Sequence, residues 1–286
     1  MLTSHLGDPR CKPLTVAQLR TLTLRVRAMP KPQNQAELTL DDLLALGYSR
    51  EFGCHILELL SREEQLEYYV NRAKQAKCYP LTRVSPLDPR RLLERLGNDA
   101  PGCLWYKGDP EILKYKAVAL VGSRDLMREN AAFAREVGRQ AALQGYVLVS
   151  GNARGADRTG QEGCLASGGQ VVSILADSLE KCQTEPNVLY LSEDSYETGF
   201  SAQRALSRNR LIHAMGQVTL VAQCSMGTGG TWKGTVQNLQ KNYSPVFCFQ
   251  DGSAGIRELH QMGAALVDIF DLQDFSALQP ETNSFL

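Results

Sequence analysis

The chain has 286 residues, of which 43% are hydrophobic and 22% charged, and it carries 31 basic and 31 acidic side chains. This composition is typical of a globular protein with a hydrophobic core, and the length allows two domains. A net charge of zero argues against a protein that coats nucleic acid through bulk positive charge. No apolar run approaches the 18 residues needed to cross a bilayer, so no membrane partner is expected.

Eight cysteines are scattered along the chain, and none of them forms a Cys-x-x-Cys pair. Neither a zinc site nor a thioredoxin-type redox motif is therefore predicted. Residues 1–10 lack the charged start and apolar stretch of a signal peptide. We expect reduced thiols in a cytoplasmic protein.

The first part of the chain is predicted to be a small helical domain. Apolar residues recur at helical spacing in the segments 14–28, 38–46, 50–60 and 62–76. Thr15 can cap the first helix, and Pro30 and Pro32 end it. A proline-rich lead-in with a short helix at 90–96 follows. We place the boundary after residue 108, which gives a helical N-terminal domain with its lead-in (1–108) and a second domain (109–286).

The second domain is predicted to be α/β, because short apolar runs alternate with helical segments. Strands are expected at 117–121, 146–149, 170–175, 188–191, 217–222, 245–249 and 265–267. Helices are expected at 127–143, 156–167, 201–215, 230–241 and 253–262. Apolar strands separated by helices predict a parallel, Rossmann-like sheet covered on both faces, with ligands bound beyond the carboxyl ends of its strands.

One long window of this domain is free of acidic residues. Between Thr198 and Gln250 there is no Asp or Glu, whereas five basic residues occur: Arg204, Arg208, Arg210, Lys233 and Lys241. The preceding segment, 177–197, contains six acids and one lysine. This pattern predicts a two-faced domain that binds an anion on its basic side, although clusters of charge can also be ordinary solvated surface.

Two glycine-containing loops follow predicted strands. Gly122, Ser123 and Arg124 come after the first strand, where Ser123 either binds phosphate or only caps a turn. After the second strand, Gly151 and Gly155 flank Arg154 just before a helix, whose free N–H groups attract anions. The Gly-x-Gly-x-x-Gly fingerprint of dinucleotide-binding proteins is absent. Asp157 is interpreted as a cap of that helix.

Two further segments complete the set of candidates. Arg208 and Arg210 lie two apart on a predicted helix and diverge by about 200°, so one is expected to face the ligand and the other a structural ion pair. The spacing does not assign them. The glycine-rich loop at 227–235 offers N–H donors at a helix start, and Trp232 is either a stacking platform or a core residue. This loop lacks the Gly-Lys-Ser/Thr of a Walker A motif, so ATP hydrolysis is not indicated.

No Ser-His-Asp arrangement, carboxylate pair or set of metal ligands emerges from the sequence. We interpret His213, beside Ile212 on the apolar side of its helix, as structural. No enzymatic activity and no cofactor are expected.

The motifs occur in a familiar order. The chain resembles the DNA processing protein A family (DprA or Smf) over roughly residues 79–268. The shared motifs are Val-Gly-Ser-Arg (121–124), Ser-Gly-Asn-Ala-Arg-Gly-Ala-Asp (150–157), Gly-Gly (168–169), Ser-Glu (192–193), Arg-Asn-Arg (208–210), Gly-Gly-Thr (229–231) and Gly-Ala (263–264). The sequence departs from the family in its glycine loop and in a missing histidine near 159–161, and no C-terminal winged helix is expected.

The resemblance implies an extended Rossmann-like domain that binds single-stranded DNA, often as a homodimer, and delivers it to the recombinase RecA during DNA uptake. Carried over by position, it implies a nucleic-acid site with Asp157 at its edge. The residues expected to bind DNA are Gly122, Ser123, Arg124, Gly151, Arg154, Arg208, Arg210, Gly229, Gly230, Thr231 and Lys233.

Two alternatives remain at this point. The first is a nucleotide sensor or a nucleotide phosphoribohydrolase of similar fold, whose glycine loop is followed by a glutamate. Here Val236, Gln237 and Asn238 supply no such carboxylate. The second is a regulator that acts through the helical N-terminal domain.

Overall fold

The computed structural model describes residues 2–29, 37–193 and 195–278. Pro30 and Pro32, which were expected to end the first helix, lie outside these residues. The strands are β1 Tyr79–Thr82, β2 Cys103–Lys107, β3 Ala117–Val121, β4 Val147–Ser150, β5 Val171–Leu175, β6 Val188–Glu193, β7 Thr219–Val221, β8 Val246–Phe249 and β9 Ala265–Val267.

The α-helices are α1 Val16–Arg27, α2 Leu40–Ala45, α3 Arg50–Leu60, α4 Glu63–Gln75, α5 Arg90–Leu96, α6 Arg128–Leu143, α7 Ala156–Ala166, α8 Ala202–Met215, α9 Gly229–Lys241 and α10 Ala254–Gln261. Every predicted helix and strand is present, with ends within two residues of those expected. The parallel α/β fold is therefore confirmed. Among the helices of the described residues, none is both long and apolar enough to cross a bilayer.

The nine strands of the described residues form one sheet in the order β1-β2-β6-β5-β4-β3-β7-β8-β9. The strands from β3 to β9 pair in parallel, whereas β1 and β2 join antiparallel beside β6. The chain leaves β3 toward β4 on one side and later returns to β7 on the other. Such a reversal of strand order opens a crevice between the loops that follow the two strands. We call the side where the parallel strands end the carboxyl edge.

Side chains alternate between two hydrophobic cores, one on each face of the sheet. In β3, Val118 and Leu120 face the core under α6 and α7, while Ala119 and Val121 face the core that α8 and α10 cover. Because both faces are buried, the central strands carry almost no polar side chains.

The N-terminal helices are attached in two ways. A small third core holds α1, α2 and α3 together through leucines and an isoleucine such as Leu22, Leu43 and Ile56. In contrast, α4 packs on the sheet, where its Tyr69 ring lies 5.5 Å from Trp105 and 4.9 Å from Tyr196. The predicted boundary at residue 108 falls after β1 and β2, which hydrogen-bond within this sheet.

Candidate functional site

The loops after β3 and β4 touch at the carboxyl edge. The N–H of Ala156, the first residue of α7, donates to the carbonyl of Ser123 over 3.1 Å. Gly155 has φ +85°, and a Cβ atom there would overlap the carbonyl oxygens of Ser123 and Arg124. Only glycine allows this approach, so the glycine before α7 brings the two loops together.

The loop after β3 is also bonded to the segments that follow β7. The hydroxyl of Thr231 donates to the carbonyl of Gly122 over 2.9 Å. The N–H of Ser123 donates to the carbonyl of Gln223 over 3.0 Å, and its hydroxyl lies 3.3 Å from the same oxygen. The Ser123 side chain thus behaves as a turn residue. The loops on both sides of the strand-order reversal form one continuous rim.

A cavity of about 640 Å³ opens at this rim, beyond the ends of β3, β4 and β5. Its charged lining is predominantly basic, with four cationic side chains and one carboxylate. They are Arg124, Arg154, Lys181, Arg208 and Asp177. Phe200, which is 56% exposed, contributes an aromatic ring to the same wall. We refer to this space as the cavity.

Arg208 forms the innermost cation of the cavity. It is 9% exposed, and its Nη2 atom lies 3.9 Å from the Asp157 carboxylate, while its Nη1 donates to the carbonyl of Ile174. Burial raises the pKa of Asp157 and lowers the pKa of Arg208, and their attraction opposes both shifts. The Nε–H of Arg208 is a buried donor without a partner among the described residues.

Gly151 provides the surface on which this pair rests. A Cβ atom at Gly151 would overlap both terminal nitrogens of Arg208 and a carboxylate oxygen of Asp157. Asp157 also accepts a hydrogen bond from the N–H of Ala153 over 3.2 Å. The helix cap expected at Asp157 is not formed, because the N-cap of α7 is Gly155 and Asp157 lies in the first turn. Asp157 instead orders the loop after β4 and holds Arg208.

Arg154 and Arg124 lie at the open mouth of the cavity. The Arg154 side chain is 75% exposed and pairs with Asp125 over 2.7 Å, and Asp125 is itself 87% exposed. An ion pair this exposed contributes little to stability. Its arginine can therefore exchange partners at low cost when an anionic ligand arrives.

Arg210 is not brought to the cavity. Its guanidinium forms a double contact with the Glu193 carboxylate and donates to the carbonyl of Asp99 over 3.1 Å. Of the two arginines, Arg208 lines the cavity and Arg210 forms an ion pair. The inclusion of Arg210 among the ligand-binding residues corresponds to no position on the cavity wall.

The glycine-rich loop lies across the β3 loop from the cavity. Gly229 and Gly230 are exposed at the start of α9, and Lys233 is exposed in its first turn. The N-cap residue Thr228 makes no side-chain capping bond, so the first N–H groups of α9 remain available to an anion. Trp232 is partly buried and packs against the core under α8. Of the two alternatives for this residue, the structure favours the core residue over the stacking platform.

Three parts of the cavity were not anticipated. Lys181 and Asp177 come from the β5–β6 connection, which the sequence marks only as an acidic segment, and Phe200 comes from the loop before α8. The position of residues 176–178 directly after a predicted strand was a usable signal. No signal in the sequence indicated Phe200, because the exposure of its ring depends on tertiary packing.

His213 is fully enclosed between α8, β7 and α9. Its Nδ1 lies 3.2 Å from both the Thr219 hydroxyl and the Asn238 amide nitrogen. Burial lowers the pKa of His213 to about 3, so the ring is neutral at physiological pH. This agrees with a structural histidine. Within the described residues, no group of three or more His, Cys, Asp or Glu side chains could hold a metal ion.

Residues 76–277 match the family described as DNA recombination-mediator protein A. The chain belongs to this family. A DNA processing protein DprA from Streptococcus pneumoniae is 30% identical over 184 residues, which cover 59% of this chain and 64% of that protein. The match thus spans less than two thirds of that relative's length.

Two solved structures of family members share the fold. The X-ray structure of DprA from Streptococcus pneumoniae aligns with a TM-score of 0.68 at 24% identity and covers 89% of this chain and 90% of that one. A DprA structure from Helicobacter pylori aligns with a TM-score of 0.58 at 25% identity and covers 70% of this chain and 94% of that one. The latter structure is described as giving insight into a single-stranded DNA binding mode.

Proposed function

We propose that this protein binds single-stranded DNA in the cavity and acts as a recombination mediator. The observation that carries the proposal is the convergence of Arg124, Arg154, Lys181 and Arg208 on one cavity at the carboxyl edge. Arginine binds phosphate in a bidentate manner, and lysine adds a point charge. The single-stranded DNA binding mode described for the Helicobacter pylori relative supports the same class of ligand here.

The arrangement of the cations suits a chain of phosphates. Arg208, deep in the wall, offers a fixed guanidinium; its buried Nε–H has no partner among the described residues, and native structures leave few buried donors unpaired. Arg154 and Arg124, at the mouth, are exposed and free to move toward a ligand. The free N–H groups of α9 and Lys233 continue the positive rim beyond the β3 loop.

Phe200 is proposed to stack on a base. Aromatic stacking contributes about 1–3 kcal/mol per base and tolerates any sequence. The ring is exposed at the cavity wall, whereas Trp232 is partly covered by core residues. Binding rather than catalysis is proposed, because the cavity wall supplies cations and an aromatic ring.

The finer aspects of the role are proposed from family membership. They are delivery of bound DNA to RecA, a part in competence for DNA uptake, and assembly as a homodimer. A cytoplasmic location is proposed because all eight cysteines are free thiols, which is usual in a reducing compartment.

Fluorescence anisotropy with a labelled single strand tests the proposal. The single strand should bind more tightly than a duplex of the same sequence or free nucleotides. Its log affinity should fall with log salt by about 0.7 per phosphate neutralised. Arg154→Ala should weaken binding about three- to tenfold, since the variant has no guanidinium to bind phosphate at this position.

Arg139→Ala is the matched control. Arg139 is also an exposed arginine paired with a carboxylate, Glu136, over 2.7 Å, but it lies near the far end of α6 from the carboxyl edge. Equal effects of the two substitutions, or tighter binding of free nucleotides than of the strand, would refute the proposed site. Release of free base from nucleoside monophosphates would favour the phosphoribohydrolase alternative.

A further inference from the structure

The start of the chain is strongly basic. Residues 1–36 contain one acidic residue, Asp8, against six basic residues: Arg10, Lys12, Arg20, Arg25, Arg27 and Lys31. Asp8 is already paired with Arg10 over 3.3 Å. The net positive charge of residues 1–36 is larger than that of the cavity lining, and none of these basic residues lines the cavity.

Helix α1 presents part of this charge on one exposed face. Arg20, Leu24 and Arg27 are all exposed and follow the i, i+4, i+7 spacing of a single helix face. A rise of 1.5 Å per residue places the two arginine Cα atoms about 10 Å apart along the helix. Among the described residues, neither Arg20 nor Arg27 takes part in an ion pair, whereas Arg25 donates to the carbonyl of Leu46 and lies over the Tyr48 ring.

The fold places α1 at the carboxyl edge. In the antiparallel pair of β2 and β6, Leu104 lies opposite Glu193, the last residue of β6. The residues just before β2 therefore lie at the same edge as the cavity. Helix α1 packs against the 3₁₀ turn Gly97–Asp99, and the carbonyl of Asp99 accepts from Arg210 of α8.

Two carboxylates of the loop after β6 are each paired with an arginine. The loop after β6 runs from Glu193 past Glu197 to Phe200 on the cavity wall. Glu193 is paired with Arg210, and Glu197 lies 3.4 Å from a nitrogen of Arg72. These two acids therefore add little net negative charge at this edge of the sheet.

We propose that the Arg20–Leu24–Arg27 face of α1 is a second phosphate-binding surface, which contacts single-stranded DNA longer than the cavity accommodates. The proposal rests on DNA binding at the cavity. The occupant is a nucleic-acid backbone, because the face combines two unpaired guanidinium groups with no acidic neighbour on its own helix.

A length series of oligothymidylates, from about 6 to about 30 nucleotides, tests this surface by anisotropy. The wild-type affinity should rise with length beyond what the cavity holds. The double variant R20A/R27A should bind the shortest strands normally and the longest about three- to tenfold more weakly. Its salt slope on long strands should fall by about 1.4, or 0.7 for each of the two phosphates that the arginines neutralise in the wild type.

The double variant R50A/K74A is the control, because it removes two exposed charges from the same helical region. Circular dichroism and thermal unfolding should show that both variants fold. Equal losses of long-strand affinity in both variants would overturn the proposal. Unchanged long-strand affinity in R20A/R27A would also overturn it and would favour an acidic protein partner.

If the wild type fails to bind even short strands, the proposed function itself is wrong. If it binds short strands but its affinity does not increase with strand length, only the α1 surface is refuted.

Discussion

Gly151 is in direct contact with the two charged side chains at the base of the cavity. We expect Gly151→Ala to displace Arg208 and Asp157, because the added Cβ would overlap atoms of both. Overpacking of this kind costs about 1–3 kcal/mol, and single-strand affinity should fall along with stability. Urea unfolding and anisotropy measure the two effects.

Gly199→Ala is the control for that substitution. At Gly199 the nearest atom to an added Cβ is an Asp177 oxygen at 3.9 Å, which is ordinary contact. If the Gly151→Ala and Gly199→Ala proteins have the same stability and the same affinity for DNA, the close packing of Gly151 against Arg208 and Asp157 is unimportant.

Phe200→Ala should weaken single-strand binding with little change in its salt dependence. The ring contributes stacking, worth about 1–3 kcal/mol per base, and no charge. Anisotropy across a salt series separates this effect from the removal of an arginine. Phe270→Ala removes an even more exposed ring outside the cavity, 79% accessible, and should have no effect. A parallel loss of affinity in both variants would contradict the stacking role.

His213 should make the protein sensitive to acid. Its pKa is about 3 in the fold and 6.5 ordinarily, so the unfolded chain binds the extra proton between these values. Stability therefore falls as the pH falls through this range, by about 2–3 kcal/mol between neutral pH and about pH 4.5. His213→Gln should flatten this part of the stability profile, as measured by urea unfolding at several pH values. The same pH dependence in both proteins would exclude His213 as the cause.

The two ends of helix α9 allow a comparison within one element. Lys233 lies in the first turn near the β3 loop, whereas Lys241 ends the helix at the opposite edge of the sheet. We expect Lys233→Ala to weaken DNA binding about threefold and to reduce the salt slope by about 0.7, since one phosphate fewer is neutralised. Lys241→Ala, which changes the net charge equally, should leave anisotropy titrations unchanged. Similar shifts would indicate a general effect of charge.

Elements with strong local patterns were predictable from the sequence. The strand β3 reads as an unbroken apolar run, and α6 shows regular helical spacing, so both were predicted within one residue. The strands β1 and β2 were not predicted. They are short, Pro80 interrupts the first, and β6, the strand that joins β2 to the rest of the sheet, lies more than 80 residues later in the chain.

The site was predictable only where its residues belong to local sequence patterns. Arg124 and Arg154 follow strands and flank glycines, so their convergence at the carboxyl edge could be inferred. The choice between Arg208 and Arg210 required the position of Glu193, which pairs with the latter. The contributions of Lys181 and Phe200 depend on loops whose course no local pattern specifies.

For the whole molecule, the division into domains remains a prediction that truncation can test. Removal of residues 2–61 takes away the small core of α1 to α3 but keeps α4, whose Tyr69 packs on Trp105. We expect this shortened chain to unfold cooperatively, with a loss of about 1–3 kcal/mol because the buried Leu6 is also removed.

Removal of residues 2–108 should have a more severe effect. It deletes β1 and β2 and leaves β6 as an unprotected edge strand, which favours aggregation. Size-exclusion chromatography and thermal unfolding of the two shortened chains compare the boundaries. A monodisperse, cooperatively unfolding chain that begins at residue 109 would support the predicted division.

The distribution of the cavity residues along the chain affects when the site can exist during synthesis. Arg124 and Arg154 belong to the middle of the chain, but Arg208 belongs to its last third, and α9 follows later still. A polypeptide that is still being translated therefore has no complete cavity until α8 has left the ribosome. If the cavity binds DNA as proposed, a nascent chain acquires the complete site only late in its synthesis.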